Sequence, residues 1–283
     1  MNGSEPIVKS EAPKAEEFAE HYGVPVDEAR QYLKQVEALD QVEQQCLAGI
    51  FKQVQGPVVE LGAGDGEFTQ ELLERYLKPG QKLYALERLG SVARKLKEKI
   101  SDDRLEVLSS DSQMIPLPDG AAAMVLSRVA LHDFVSADGD IAAALRDCVR
   151  VLAPGGIFLV YDKIIDGFTD VERESAEGRM ERINVQLAQL EGKQCWGLHR
   201  LADYFDLLRL LGLGGIKHEV LQRPDMPGYV AQLNKGLEQA RPSYIKRWGD
   251  GVNAVLDSFA AEVTAIPNRA LPLAIVWGVK PWA

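Results

Sequence analysis

From Val58 to Thr69 the chain reads Val-Val-Glu-Leu-Gly-Ala-Gly-Asp-Gly-Glu-Phe-Thr. A short apolar run meets an acid, then glycines at Gly62, Gly64 and Gly66, then a helical pattern over Glu67–Leu77. Few folds accept this order. The run is a buried strand, and the glycines let the backbone turn sharply and approach a ligand with no Cβ in the way. The following helix aims its free N-terminal N–H groups at the same point. The chain is therefore α/β, with a ligand cradle between its first strand and the next helix.

The spacing narrows the ligand. Dinucleotide folds favour G-x-G-x-x-G facing a pyrophosphate. Here the pattern is G-x-G-x-G, and Glu60 precedes the first glycine by two positions. A carboxylate aimed at the loop repels a pyrophosphate and attracts an ammonium group. Read alone, the segment is also compatible with an ordinary turn beside a surface acid.

The segments that follow supply context. Lys82–Leu86 reads as a second strand, closed by Glu87 with Arg88 beside it. An acid at that strand end can accept both ribose hydroxyls of an adenosine cofactor. Leu105–Leu108 reads as a third strand, followed by Ser109-Ser110-Asp111-Ser112. A proline-bearing loop, Ile115–Gly120, leads to a fourth strand over Ala122–Ser127. Pro154-Gly155-Gly156 reads as a turn that ends a helix and starts a fifth strand through Val160.

In this order the segments resemble the motifs of the class I S-adenosylmethionine-dependent methyltransferases, over Val58–Asp162. The resemblance implies an α/β, Rossmann-like sheet of seven strands with helices on both faces, the last strand antiparallel. It implies S-adenosyl-L-methionine as cofactor, held by Glu60, Gly62, Ala63, Gly64, Gly66, Glu87, Arg88, Asp111, Ser112 and Ser127. Glu87 would take the ribose and Asp111 the adenine amino group. Arg150-Val-Leu-Ala-Pro-Gly-Gly is most similar to the group that includes ubiquinone and menaquinone C-methyltransferases. One departure stands out: the family commonly has an acid at the start of the fourth strand, where this chain has Ala121-Ala122-Ala123.

Composition bounds the partners. Of 283 residues, 46% are hydrophobic and 26% charged, ordinary for a globular chain, and the net charge is −10. Phosphate backbones need a basic face, so nucleic acid is disfavoured and a small-molecule substrate expected. No apolar run approaches the ~20 residues of a membrane span, and the polar N-terminus lacks a signal-peptide centre. A cytoplasmic location is the expectation. Cys46, Cys148 and Cys195 are too scattered for a disulfide framework or a thiolate site for arsenic.

The organisation reads as a core with additions. Residues 1–14 read as a disordered tail and 15–55 as a helical cap, with a short helix over Ala15–Tyr22 broken at Gly23. A longer helix starts at Val24-Pro25, with Leu33, Val36, Leu39 and Val42 or Cys46 towards the core. The methyltransferase domain spans 56–283. A helix is expected over Val171–Leu190 and another over Leu201–Leu211. Strands over Ile216–Leu221 and Leu273–Val279 complete the sheet. Between them, 223–271 form a helical insertion, with helices over Tyr229–Ala240 and Val252–Ile266. An insertion of that length serves as a lid or a dimerisation element, so a homodimer stays open.

Methyl transfer from a sulfonium needs alignment more than acid catalysis, with a base if the nucleophile carries a proton. Candidates lie at the C-terminal strand ends. His132 ranks first as base and Asp133 second, in the loop after the fourth strand; Asp162, Lys163 and His199 are nearby alternatives. His132 as a mere shaper of the pocket is the competing account. His21 and His218 look incidental. No metal is implied, because the acid clusters of magnesium-dependent enzymes are missing from the pattern. Two rival readings remain: a nicotinamide-dependent oxidoreductase, and a catalytically silent member of the resembled family.

Gly64→Val and Glu87→Ala are each expected to abolish or strongly weaken S-adenosylmethionine binding while leaving the fold largely intact. Unchanged affinity of both variants in isothermal titration would mean that the cradle is misplaced.

Overall fold

The computed structural model describes residues 15–136 and 140–282. The expected tail at 1–14 lies outside the described residues. Two helices come first, α1 (Ala15–Tyr22) and α2 (Val26–Phe51). Then follow β1 (Val58–Leu61), α3 (Glu67–Glu71), β2 (Leu83–Leu86), α4 (Gly90–Lys99), β3 (Leu105–Leu108) and β4 (Ala122–Arg128). After a 3₁₀ turn at Leu131–Asp133 come β5 (Val135–Ser136), α5 (Ile141–Val151) and β6 (Leu152–Lys163). Next are α6 (Val171–Glu174), α7 (Ala176–Leu190), β7 (Gln194–Cys195) and α8 (Leu201–Leu210). The chain ends with β8 (Gly214–Leu221), α9 (Tyr229–Trp248), α10 (Val252–Val263) and β9 (Leu273–Val279).

The main sheet has seven strands in the order β3-β2-β1-β4-β6-β9-β8. Pairing is parallel from β3 to β6; β9 runs antiparallel to both β6 and β8, so it alone is reversed. The expected Rossmann-like mixed sheet is therefore the observed one. Central strands covered on both faces should be continuously apolar, and in β1 every residue is buried, Glu60 included. Val58, Met124, Leu126, Leu159 and Tyr161 face α2 and α3. Val59, Leu61, Val125, Phe158 and Val160 face α5 and α8.

Local chemistry explains where the elements stop. Arg150 on α5 donates to the carbonyls of Ile115 and Leu117 and to Asp119. Asp147 accepts from the Ile115 N–H, so one helix face pins the whole Ile115–Gly120 loop. The Pro154-Gly155-Gly156 segment is not a free turn. It lies inside β6, where the register shifts between Ala122 and Met124 of the facing strand, and Gly155 N–H donates to Lys280 O at 2.8 Å. A bulge absorbs the bend that the sequence suggested as a reversal.

Other elements also differ from expectation. The helix over Glu67–Leu77 is α-helical only to Glu71 and continues as one π turn over Leu72–Tyr76, which stacks Tyr76 on Phe51. The helix over Val171–Leu190 breaks at Ser175, whose backbone is extended and whose hydroxyl caps α7 through Gly178 N–H. That break is a true N-cap. Helix α9 runs past Ala240, through Pro242, to Trp248. Arg241 bridges it to Asp257 and Asn253 of α10, and Tyr244 and Trp248 pack in the cluster between α7, α9 and α10. Those contacts outweigh the hydrogen bond lost at Pro242. Val42 is exposed rather than core-facing; Leu39, Cys46 and Leu47 carry the buried stripe of α2.

The insertion closes on its own chain. Val252, Leu256, Phe259 and Val263 of α10 pack against Ala176, Ile183 and Leu187 of α7. Gln232 on α9 donates to His21 O, which ties the insertion to α1. Among the described residues no helix is long and apolar enough to cross a membrane.

Gly66 shows how tightly the cradle is set. Its φ is +86°, and a Cβ there would lie 2.1 Å from Leu96 Cδ1, itself fully buried. Gly66→Ala is expected to cost about 2 kcal/mol or more, from strain plus overpacking. Urea denaturation checks this; a midpoint equal to that of the unsubstituted protein would refute it.

Candidate active site

The strand order reverses between β1 and β4. Open α/β sheets bind ligands in the crevice beyond the carboxyl ends of the strands at such a point. A cavity of about 340 Å³ lies there. Gly62, Glu87, Arg88, Asp111, Ser112 and Asp133 all line it. Leu61, Leu86, Phe134, Ile141 and Trp196 supply apolar walls.

Glu87 is held by the backbone. Gly64 N–H donates to its Oε2 at 3.1 Å and Leu89 N–H to its Oε1 at 2.7 Å. Each oxygen therefore keeps further acceptor capacity. Asp111 is anchored similarly, its Oδ1 taking Gln113 N–H at 3.1 Å. Gly62 and Gly64 have φ of +67° and +53°. A Cβ on Gly62 would lie 2.9 Å from Ala130 Cβ, whereas the space beside Gly64 is open.

Other candidates lie behind the wall. Glu60 is 2% exposed, and Thr69 Oγ1 donates to its carboxyl at 2.7 Å. It does not reach the cavity as a surface acid. Ala63 and Gly66 pack towards α4, and Ser127 is fully buried with its hydroxyl unpartnered.

His132 is also buried, at 3% exposure. Its Nδ1 lies 2.6 Å from Asp162 Oδ1, and its backbone N–H donates to Asp162 Oδ2 at 2.9 Å. Asp162 is itself buried at the end of β6. Nδ1–H donation to Asp162 leaves Nε2 facing Asp133 and Glu181, each at 3.7 Å. Burial pulls the imidazole pKa down, but the Asp162 hydrogen bond and the surrounding carboxylates raise it above its ordinary value. Asp133 is about half exposed; burial of its surroundings pushes its pKa up, against the pull of His132. Lys163 binds Glu181 at 2.5 Å and Glu177 at 3.3 Å, and Glu177 in turn holds Arg223.

Sequence reasoning missed Glu181. It sits on a polar helix whose pattern carries no sign of the loop it meets. Among the described residues, His132, Asp133 and Glu181 bring potential ligand atoms within 4.8 Å of one another, the geometry closest to a cation site. The Lys163 ammonium already neutralises one oxygen of Glu181.

The loop after β4 is clamped by a segment sixty residues away in sequence. Cys195 Sγ and Gly197 N–H both reach His132 O, at 3.0 and 2.9 Å, and Trp196 N–H donates to Phe134 O. Burial pushes the Cys195 thiol up to about 11, so it is a structural group rather than a nucleophile. His199 stacks on Trp196 at 4.1 Å. His21 contacts Tyr22 and His218 contacts Phe205, both away from the cavity.

A second cavity of about 250 Å³ lies between α2, the ends of β4 and β6, and the insertion. Arg128 lines it, while the next residue, Val129, lines the first. Val129 has a φ of +48°, the one positive value at a non-glycine position among the described residues. For a β-branched side chain this is a strained backbone.

Residues 59–160 match the family model of a methyltransferase domain. With the seven-stranded fold, the match supports a class I S-adenosylmethionine-dependent methyltransferase. An uncharacterised methyltransferase of Geobacillus kaustophilus is 28% identical over 202 residues, covering 67% of this chain and 84% of the relative. A structure described as a putative sarcosine dimethylglycine methyltransferase from Galdieria sulphuraria has a TM-score of 0.55 at 20% identity, covering 91% of this chain and 88% of that one. Phosphoethanolamine N-methyltransferase 2 of Haemonchus contortus, solved with S-adenosylhomocysteine and phosphomonomethylethanolamine, has a TM-score of 0.55 at 14% identity and 85% coverage of this chain. This chain spans only 52% of that enzyme's length. At these identities both structures speak for the fold.

Burial raises the Glu60 carboxyl to about 8, against the Thr69 hydrogen bond and Arg128. Its folded value thus exceeds its unfolded one. The stability it contributes is fully present below the ordinary carboxyl range and is lost as pH rises through about 8. Glu60→Gln should flatten that loss. Urea midpoints at about pH 5 and about pH 9 are expected to fall more for the unsubstituted protein than for the variant; parallel falls would refute the assignment.

Proposed function

We propose that this methyltransferase transfers the methyl group of S-adenosylmethionine to a small molecule, the donor in the first cavity and the acceptor approaching from the second. The observation that carries the donor site is the clamp on Glu87. Two backbone N–H groups fix its carboxylate at the strand end and leave both oxygens free to accept from a ribose diol. Asp111 is positioned for an adenine amino group. The open space beside Gly64 suits close approach of the amino-acid moiety. Bound there, the cofactor supplies a methyl group on a sulfonium, a carbon electrophile that needs no acid to release its leaving group.

The rest falls to the protein. Asp133 faces the donor cavity and carries a raised pKa, which suits it to take a proton from the nucleophile. His132 is behind it and acts as a positioning residue. Asp162 fixes the ring, and the ring's Nε2 faces the Asp133 carboxylate. The geometry thus favours Asp133 over His132 as the base. Asp133 and Val129 line the donor side, and Arg128 opens on the other cavity, so the acceptor's nucleophile meets the methyl group near the end of β4.

Isothermal titration tests the donor reading: S-adenosylmethionine and S-adenosylhomocysteine should bind with micromolar affinity and NAD should not. Binding of NAD alone would sink it. With an acceptor found by screening, Asp133→Asn is expected to lower kcat by about a hundredfold or more, the usual contribution of a positioned base. His132→Asn should instead shift the pH profile of kcat; an unchanged profile would remove the positioning role.

A further inference from the structure

Two residues that line the second cavity, Arg128 and Tyr161, each carry a buried polar atom without a hydrogen-bond partner. The cavity's charged lining comes from Arg128, Arg223, Asp40, Glu43 and Glu177, with Tyr161 and Asn268 beside them. Arg223 is anchored through two of its three nitrogens: Nε donates to Leu271 O at 2.8 Å and Nη2 to Glu177. Glu177 also takes Leu271 N–H and the Lys163 ammonium. Arg128 is different. One nitrogen meets Glu43 at 3.3 Å, and its Nε is buried with no acceptor.

Tyr161 repeats the pattern. Tyr161 is 1% exposed and its hydroxyl makes no hydrogen bond within geometric limits, although Glu43 lies close enough to act on it both by charge and as a long, poorly aligned hydrogen-bond partner. Burial and Glu43 push the phenol up, so it stays a donor. Burial also pushes the Glu43 carboxyl up, which leaves the Arg128 charge less compensated. The guanidinium lies over the rings of Phe68 and Tyr161, at 4.8 and 5.4 Å, so its plane is fixed by packing. Unsatisfied buried donors are costly. Two of them, on neighbouring side chains lining one cavity, define a site for an oxygen acceptor.

We infer that the methyl acceptor carries a carboxylate, which Arg128 and Tyr161 bind in the second cavity. This rests on the reading of that cavity as the acceptor site. Tyr32, Tyr229, Val36 and Leu39 also line it, so the body of the molecule is apolar or aromatic. The aromatic residues also suit a cationic amine held by cation–π contact. The unpartnered Arg128 Nε and Tyr161 hydroxyl favour the anion.

The test uses the full chain, with and without saturating S-adenosylhomocysteine, and simple probes. Benzoate and phenylacetate should bind in isothermal titration, about tenfold or more tighter than the neutral benzamide, as a charge-assisted pair implies. Arg128→Met should reduce benzoate affinity by about tenfold or more, and Tyr161→Phe by a few-fold, with S-adenosylhomocysteine affinity unchanged as the control for folding. Arg128→Lys, which keeps the charge, should retain part of the binding. Equal affinity for benzamide, benzoate binding that survives Arg128→Met, no carboxylate binding, or preference for tetramethylammonium would each overturn the inference. Loss of the donor reading shows separately, as failure to bind S-adenosylhomocysteine while the benzoate arms still report on Arg128.

Discussion

The structure depends on β1 having β2 on one side and β4 on the other. The chain leaves β1, builds outward to β3, then returns across the sheet to β4. The loops after β1 and β4 must therefore diverge, and a crevice opens whatever residues line it. The glycine loop, the Glu87 clamp and the 3₁₀ turn at Leu131–Asp133 decorate this crevice. Parallel pairing also forces helices onto both faces. Those helices bury the strands so completely that Glu60, a charged residue by type, lies in the core with Thr69 as its partner.

Much of this is legible in the sequence because it is local. An apolar run followed by glycines in alternate positions constrains only neighbours, and β1, β3, β9 and α1 fall where pattern alone puts them. Cofactor contacts inferred from resemblance divide into residues on the cavity wall, such as Glu87, Arg88, Asp111 and Ser112, and residues behind it, such as Glu60 and Ser127. No periodicity separates the two groups, since that depends on which face a strand turns to a helix far along the chain. The His132 network is illegible for the same reason. Asp162, Glu181 and Lys163 come from β6 and α7, and their meeting is a property of packing. The misplaced helix ends have a different cause. At Ser175 a cap contact breaks a pattern that reads as one continuous helix, and at Pro242 tertiary ion pairs carry a helix past the end that the pattern suggests.

The N-terminal helices and the insertion act as one covering. α2 packs on the sheet, α1 touches α9, and α10 lies on α7. The second cavity is walled by all of these segments at once. The first cavity is thus built mainly by the sheet and its crossover loops, and the second largely by the additions. Val129 sits where the two cavities adjoin, and its strained backbone is held by a hydrogen bond from its N–H to Tyr161 O at 2.6 Å.

Among the described residues the β5–β7 ladder has two rungs, Val135 with Cys195 and Ser136 with Gln194. Val135 and Gln194 are also cavity-wall residues. A pair of strands this short has little stability of its own. Among the described residues the roof over the first cavity is therefore fastened by a few backbone hydrogen bonds, whereas its floor is fastened by the whole sheet. Local opening follows the lowest free energy, so this roof yields before the strand ends and the Glu87 clamp do.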